Sequence, residues 1–221
     1  VVAAMAAQTA RGVETMILYG EANPAPNPRR VRIFIAEKGM TIPAQKVDLM
    51  AGENRKPPYT ETVNVAGQLP ALELDNGHKV CEILPICEYL EEVQPSPPLI
   101  GSNAEERAET RMWTRRIDLN ICEPMANGFR AAEGRPLFES RMKLVGPEGA
   151  ADLKAIAKDR LLWLDGQMTG DFVCGGRFTL ADILLFGFLK FGATVGQPVP
   201  DEAKWLKGWM ERVGARPSAA A

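Results

Sequence analysis

Histidine is nearly absent from this chain of 221 residues. His78 stands alone, which leaves no second member for a His-based triad, a His-rich zinc site or an HExxH pair. Cysteine is sparse as well. Cys81, Cys87, Cys122 and Cys174 lie far apart, without a CxxC pair or metal-ligand spacing. They read as reduced, mostly buried thiols of a reducing compartment such as the cytoplasm, and no metal centre is expected. Charge of one sign never accumulates: 26 Lys and Arg stand against 28 Asp and Glu, a net charge of −2. Nucleic acid and anionic membrane, which need clustered cations, are therefore poor partners. No apolar run reaches the about 20 residues that cross a bilayer. What is present, 46% hydrophobic and 24% charged residues, is the balance of a soluble globular chain with room for one large or two modest domains.

The Ala-rich residues 1–15 lack a basic start and a long apolar stretch, so they make a poor secretory signal. They read as a disordered leader or vector-derived remnant, with the folded chain beginning near Met16. Residues 16–19 (MILY) form a short apolar run ended by Gly20, a buried strand. A Pro- and Asn-rich loop over 23–28 precedes a helix expected over 29–38, with Val31, Ile33, Phe34 and Ile35 on its apolar face and Gly39 as its stop. A second strand is expected over 44–49, completing a βαβ unit, and then a polar connection over 51–63. Two strands, 69–74 and 79–81, flank the turn Asp75-Asn76-Gly77. A helix follows with Ile86, Tyr89 and Leu90 inward. The Pro-rich break over 94–98 marks a domain boundary.

Everything beyond reads as helix. One amphipathic helix is expected over 104–125, with Met112, Trp113, Ile117 and Ile121 as its stripe. Leu153, Ile156, Leu161, Leu164 and Met168 mark a second, Trp205, Leu206, Trp209 and Val213 a last. Between them, 180–191 is apolar on all sides, as a central buried helix must be. The tetrad Thr179-Leu180-Ala181-Asp182 carries the capping-box pattern before it, a folding device, since a buried helix start cannot leave its amides unpaired. The expected organisation is a leader (1–15), an α/β domain (16–94), a linker (95–102) and an all-helical domain (103–221).

Two features carry more than one reading. Pro70 has no ladder donor, so Leu69-Pro70 is either a strand edge or a cis bond at a turn. Glu82 sits between a strand and a helix, where a carboxylate either balances the helix dipole or receives a ligand ammonium. The segments MILYG, APNPRRVRIFIAEKG, GQLPALELDNG, EILPICEYLEE and GGRFTLADILLFGFL, in that order over about 16–217, resemble the cytosolic glutathione transferase family. They look most like its bacterial and fungal branch, which includes yeast-type enzymes lacking a standard catalytic residue.

The resemblance implies a thioredoxin-like α/β N-terminal domain, an all-α C-terminal domain, and a cytoplasmic homodimer that joins glutathione to a small hydrophobic electrophile. It matches Leu69-Pro70 to the family's cis-proline turn, whose preceding residue pairs with the cysteinyl main chain of glutathione. Glu82 matches the acid that receives the γ-glutamyl ammonium. Arg55 and Gln68 match positions near the glycyl carboxylate, and the fork geometry of Arg suits a carboxylate. A glutathione-dependent peroxidase, etherase or isomerase, or a non-catalytic binding protein, fits the same scaffold.

Two departures bear on the chemistry. The family's Ser or Cys six residues before the Val of the Val-Arg pair is Ala25 here, and the Ser after the acid is Ile83, which leaves only its amide for the γ-glutamyl carboxylate. A cysteine-type thiol titrates near ~8.5, so some group must favour its anion. The main-chain amides over 27–30, with the Asn27 side chain or an ordered water, are the expected stabilisers. Arg29 and Arg30 add positive charge or serve as ordinary structural cations, and Tyr19 offers a phenol or simply packs. Met112, Arg115, Leu119, Met125 and Phe129 are the candidates to line an electrophile pocket, against core packing as the alternative.

Overall fold

The computed structural model describes residues 16–20 and 25–221. Residues 1–15, read above as a leader, and 21–24 of the Pro- and Asn-rich loop lie outside them. The chain divides into two compact units, Val1–Leu99 with Pro217–Ala221, and Ile100–Arg216. The boundary falls just after the Pro-rich break, but the last five residues join the first unit, which sequence periodicity did not foretell.

The first unit holds a four-stranded sheet in the order β2-β1-β3-β4. Its strands are β1 (Ile17–Tyr19), β2 (Ala44–Gln45), β3 (Ala71–Glu73) and β4 (Lys79–Cys81). β1 runs parallel to β2 and antiparallel to β3, and β3 is antiparallel to β4, with Leu18 opposite Leu72 and Leu72 opposite Val80. Successive side chains of a strand point to opposite faces. Leu18 and Leu72 therefore face the buried side of helices α1 (Pro26–Glu37) and α3 (Ile83–Val93), where Val31, Phe34, Ile86 and Leu90 are sealed from water. Tyr19, on the other face, joins a smaller cluster of Val47, Tyr59 and Leu69. This is the thioredoxin-like arrangement.

Helix α1 begins at Pro26, three residues before the expected start. Proline at the first helical positions loses no hydrogen bond, because those N–H groups have no partner within the helix, and its fixed φ is already helical. Gly39 ends the helix as expected: its φ of 63° lets its own amide reach the Ala36 carbonyl and that of Met40 reach Ile35. Strand β2 is shorter than expected because Asp48 turns the chain, its carboxylate accepting from the amides of Met50 and Ala51 at 2.9 Å each. The polar connection is not featureless. It contains a 3-10 turn, Glu53–Arg55, and a short helix α2, Tyr59–Thr62.

The second unit is all helical: α4 (Ala104–Ile117), α5 (Glu123–Ala131), α6 (Arg135–Phe138), α7 (Pro147–Gln167), α8 (Leu180–Thr194) and α9 (Lys204–Gly214). Asn103 caps α4, accepting from Glu106 N at 2.9 Å. The single helix expected over 104–125 is interrupted by a π-helical turn, Asp118–Cys122, directly before Pro124. Proline has no N–H to give the preceding turn, and its ring crowds the carbonyl four residues back, so the helix widens there. In α7 the inward residues are Ala150, Ala157, Leu161 and Leu164, whereas Ile156, expected inward, is 47% exposed. Helix α8 is buried along nearly its whole length, and the capping box at its start forms. Among the described residues no helix is long and apolar enough to cross a membrane.

Candidate active site

Strand register gathers two of the sequence-selected positions, Pro70 and Glu82, with Gly20 beside them. Tyr19 pairs with Ala71, and Ala71 with Cys81. Continuing both antiparallel ladders by one residue sets Gly20 beside Pro70 and Pro70 beside Glu82. The Leu69–Pro70 bond is cis. A Cβ added to Gly20, whose φ is 152°, would lie 3.0 Å from Cβ of Pro28 and 3.4 Å from Cβ of Pro70. Only a glycine lets the first turn of α1 and the cis-proline turn approach this closely.

Both long helices of this unit start at that end of the sheet. Ala25 is the N-cap of α1 and has no side-chain group to cap it. Of the four N-terminal amide positions of α1, Pro26 and Pro28 have no N–H, which narrows the donors expected over 27–30 to the amide of Asn27 and adds that of the N-cap, Ala25. Those of Arg29 and Arg30 fall inside the helical ladder. The arginine side chains also turn elsewhere. Arg29 Nη2 donates to the Ala219 carbonyl at 2.8 Å, and Arg30 is buried, 2% exposed. Glu82 is the N-cap of α3, exposed, with a φ of 72°, the one positive value at a non-glycine among the described residues. Ile83 and Leu84 follow it with amides at the helix start, while Pro85 has none. Two helix N-termini, each the positive end of a dipole, thus flank the Pro70–Glu82 row.

Tyr19 is directed away from a role as thiol partner. Its hydroxyl donates to Glu73 at 2.7 Å, and burial together with that carboxylate pushes the phenol up to about 12. Glu73 in turn is held below the usual carboxylate range by Lys79, 2.9 Å away, and by Tyr19. Arg55 is exposed and donates to the Ala66 carbonyl at 3.3 Å, which ties it to the chain leading into Gln68 and Leu69.

That approach is held by side chains from the connection read above as merely polar. Asn54 Nδ2 donates to the Gly67 carbonyl at 2.6 Å. Tyr59 and Asn64 both donate to the Gln68 carbonyl, at 2.7 and 3.0 Å. Sequence reading missed all three; a lone tyrosine between two asparagines in a polar segment was the available signal. Gly67, with φ of 61°, sits so close that an added Cβ would meet the Asn54 carbonyl oxygen at 2.8 Å. Gly67→Ala is therefore expected to cost about 1–3 kcal/mol from the left-handed backbone and the contact together, read as a lower urea midpoint. An alanine variant as stable as the parent would show that this turn relaxes freely.

The candidate electrophile residues belong to the second unit. Met112, Arg115 and Leu119 share one exposed face, with Met112 at 40% and Leu119 at 44%. Met125 does not join them. It is 1% exposed, with its sulfur 2.8 Å from where a Cβ on Gly192 would lie, a core residue fitted against a helix glycine. Phe129 packs edge-on against Phe138 and Phe191, at centroid distances of 6.1 and 5.1 Å. All four cysteines are free thiols, with Cys81 half-buried and the others buried; burial pushes Cys81, Cys87 and Cys174 up. Among the described residues no group of three or more His, Cys, Asp or Glu is arranged to hold a metal ion.

Comparison with known proteins bears directly on this geometry. The family model for the glutathione S-transferase N-terminal domain matches residues 25–93, and that for the C-terminal domain matches residues 150–217. Glutathione S-transferase 2 of Saccharomyces cerevisiae is 31% identical over 209 residues, covering 93% of this chain and 88% of the yeast protein. The chain belongs to the glutathione S-transferase family. The crystal structure of Gtt2 from Saccharomyces cerevisiae superposes with a TM-score of 0.85 at 31% identity, over 92% of this chain and 98% of the yeast chain. FtsZ-localized protein A of Caulobacter vibrioides is 28% identical over 203 residues, 87% of this chain and 84% of its own length. For this family member the N-terminal model takes in Ala25, Arg55, Gln68, Leu69, Pro70, Glu82 and Ile83, and ends at the last residue of α3.

Proposed function

We propose that this chain is a glutathione transferase that binds glutathione along the Pro70–Glu82 row and presents it as thiolate to a small hydrophobic electrophile. The observation that carries the reading is the row itself: a cis-proline turn, an exposed carboxylate and two helix N-termini meet at one end of the sheet. The Leu69 main chain pairs with the cysteinyl unit, and Glu82 receives the γ-glutamyl ammonium. The Ile83 N–H donates to the γ-glutamyl carboxylate at the start of α3, and Arg55 and Gln68 face the glycyl end.

At the thiol, the amides of Ala25 and Asn27 and the Asn27 carboxamide supply the preference for the anion that a serine or cysteine hydroxyl or thiol supplies elsewhere. Each pKa unit of depression requires about 1.4 kcal/mol from them. The thiolate sulfur then attacks the electrophilic carbon, a C–S bond forms, and the leaving group departs with its electron pair. Met112, Arg115, Leu119 and Phe129 of the second unit remain the candidate contacts for the electrophile. Operation as a cytoplasmic homodimer belongs to the same reading.

A second reading, a glutathione-fold binding protein without turnover, draws support from Ala25 and Ile83 and from a relative named for its localisation rather than for a reaction. Calorimetry with glutathione, titration of the bound thiol, and assays of aryl-halide conjugation and hydroperoxide reduction separate the two. Millimolar or tighter binding, a thiol pKa below that of free glutathione, and conjugation are expected. Hydroperoxide reduction without conjugation would move the reading to a glutathione-dependent peroxidase, and binding with an unshifted thiol to the binding protein. Glu82→Ala is expected to weaken glutathione about 10–100-fold, the worth of one charge-assisted hydrogen bond. An unchanged affinity would remove Glu82 from the site.

A further inference from the structure

We propose that Tyr59 and Asn64 are positioning residues for glutathione, acting through the Gln68–Leu69 peptide plane; the inference rests on the glutathione site proposed above. The Gln68 carbonyl accepts from Tyr59 Oη at 2.7 Å and from Asn64 Nδ2 at 3.0 Å. The Gln68–Leu69 bond is not among the cis bonds of the described chain. In a planar trans peptide the carbonyl of one residue and the N–H of the next point in opposite directions. Anchoring the Gln68 carbonyl toward Tyr59 and Asn64 therefore aims the Leu69 N–H away from them. Among the described residues neither the N–H nor the carbonyl of Leu69 enters a turn or loop hydrogen bond, and the proposal assigns both to the ligand main chain.

The anchors are themselves well fixed. Tyr59 is 5% exposed and meets the Tyr19 ring edge-on at 6.2 Å, and Asn64 is 6% exposed with its Oδ1 accepting from Ala66 N at 3.0 Å. The preceding carbonyls are held too, Ala66 by Arg55 and Gly67 by Asn54. Three consecutive carbonyls ahead of the cis-proline turn are thus fastened to one short segment. A loop needing only desolvated carbonyls satisfied has no use for two donors on Gln68; a loop that must hold one peptide orientation does.

The double donation also separates a positioning role from a folding role. Tyr59→Phe keeps the ring in place, and in each single variant the Gln68 carbonyl retains one donor. Tyr59→Phe and Asn64→Ala are expected to lower Tm by a few degrees at most while weakening glutathione about 3–10-fold each, the worth of one ordinary hydrogen bond. The double variant should lose more than the product of the singles, because the peptide plane is then released. Calorimetry gives the affinities. The Leu69 amide resonance, followed by NMR as glutathione is added, supplies the readout that mere destabilisation would not move: it should respond in the parent and fail to respond in the double variant.

Ile117→Val, a core change in the second unit, serves as a control matched in Tm, and its glutathione affinity should be that of the parent. A double variant that binds glutathione within twofold of the parent, with the Leu69 response intact, would overturn the positioning role. So would an equal loss of affinity in the Ile117→Val control. A parent that does not bind millimolar glutathione would instead overturn the glutathione site, and this inference with it.

Discussion

Asp182→Ala is expected to lower the free energy of unfolding at neutral pH by about 3–5 kcal/mol, enough to unfold a marginal domain. Its carboxylate is a buried junction. Oδ1 accepts from Val173 N and from Trp209 Nε1, both at 2.9 Å; Oδ2 accepts from Thr179 N at 2.9 Å and from Thr179 Oγ1 at 3.2 Å. One side chain thus ties the start of α8 to the turn before it and to α9. Removing it strands donors with no water to turn to. Asp182→Asn should fall between, since its oxygen can serve Val173 and Trp209 while its NH2 opposes the Thr179 amide.

The same burial predicts a pH dependence. Desolvation outweighs the four donors and pushes the Asp182 carboxyl up to about 6, from 3.8 in its unperturbed state. Between those values the folded chain binds the proton more tightly than the unfolded chain does. The contribution of this group is therefore fully present below about 4 and is lost as pH rises through about 6, by at most about 3 kcal/mol. Urea titrations of the parent and of Asp182→Asn from acid to neutral pH should show the advantage of the parent shrinking across that window. An advantage that grows instead would reverse the assignment.

The second large effect is expected at the pair Lys38–Glu91. The ammonium of Lys38, at the C-terminal end of α1, is in contact with the Glu91 carboxylate of α3, and both side chains are nearly inaccessible. Lys38 also donates to the Pro97 carbonyl at 2.6 Å, and Glu91 accepts from Leu99 N at 3.2 Å, so the pair holds the Pro-rich segment that follows α3. Glu91→Ala removes the counter-charge from a buried cation and should cost about 3–5 kcal/mol. The double variant Lys38→Met, Glu91→Leu should recover most of that loss, because two apolar side chains carry no desolvation cost. Burial already lowers the Lys38 pKa against the opposing pull of Glu91. The single variant should therefore regain stability as pH rises toward the unperturbed lysine value, where the folded chain sheds a proton that the unfolded chain keeps. Because α1 carries Ala25 and Asn27 at its other end, glutathione affinity is expected to fall with the single variant and return with the double.

Much of this was legible residue by residue. The strand at MILY, the stop at Gly39, the capping box at Thr179 and the wholly buried α8 each depend on residues within a turn or two of one another. Two local features were legible and misread. Pro26 and Pro28 looked like loop residues, although proline is at home in the first turn of a helix. Pro124 lay at the end of what looked like one continuous helix, and its missing N–H opens a π turn before it.

Other features had no local signature. Met112 and Met125 are both methionines on helical positions, yet one is exposed and one is sealed against Gly192, since only the neighbouring helices decide which side faces them. Likewise Tyr19 found Glu73 and Arg29 found Ala219 only through strand pairing and the return of the C-terminal residues to α1.

The sequence by itself determined two things about this protein: the order of its strands and longer helices, through periodicity and caps, and the candidacy of Leu69, Pro70 and Glu82, through their resemblance to a family pattern. Only the tertiary structure decided what those residues stand beside. The ladders Tyr19–Ala71 and Ala71–Cys81 put Gly20, Pro70 and Glu82 in one row, and the folding of the connection upon itself brought Tyr59 and Asn64 to the Gln68 carbonyl. Residues far apart in the chain meet only through strand register and packing, and both are settled by the burial of a whole sheet face rather than by any single residue's preference.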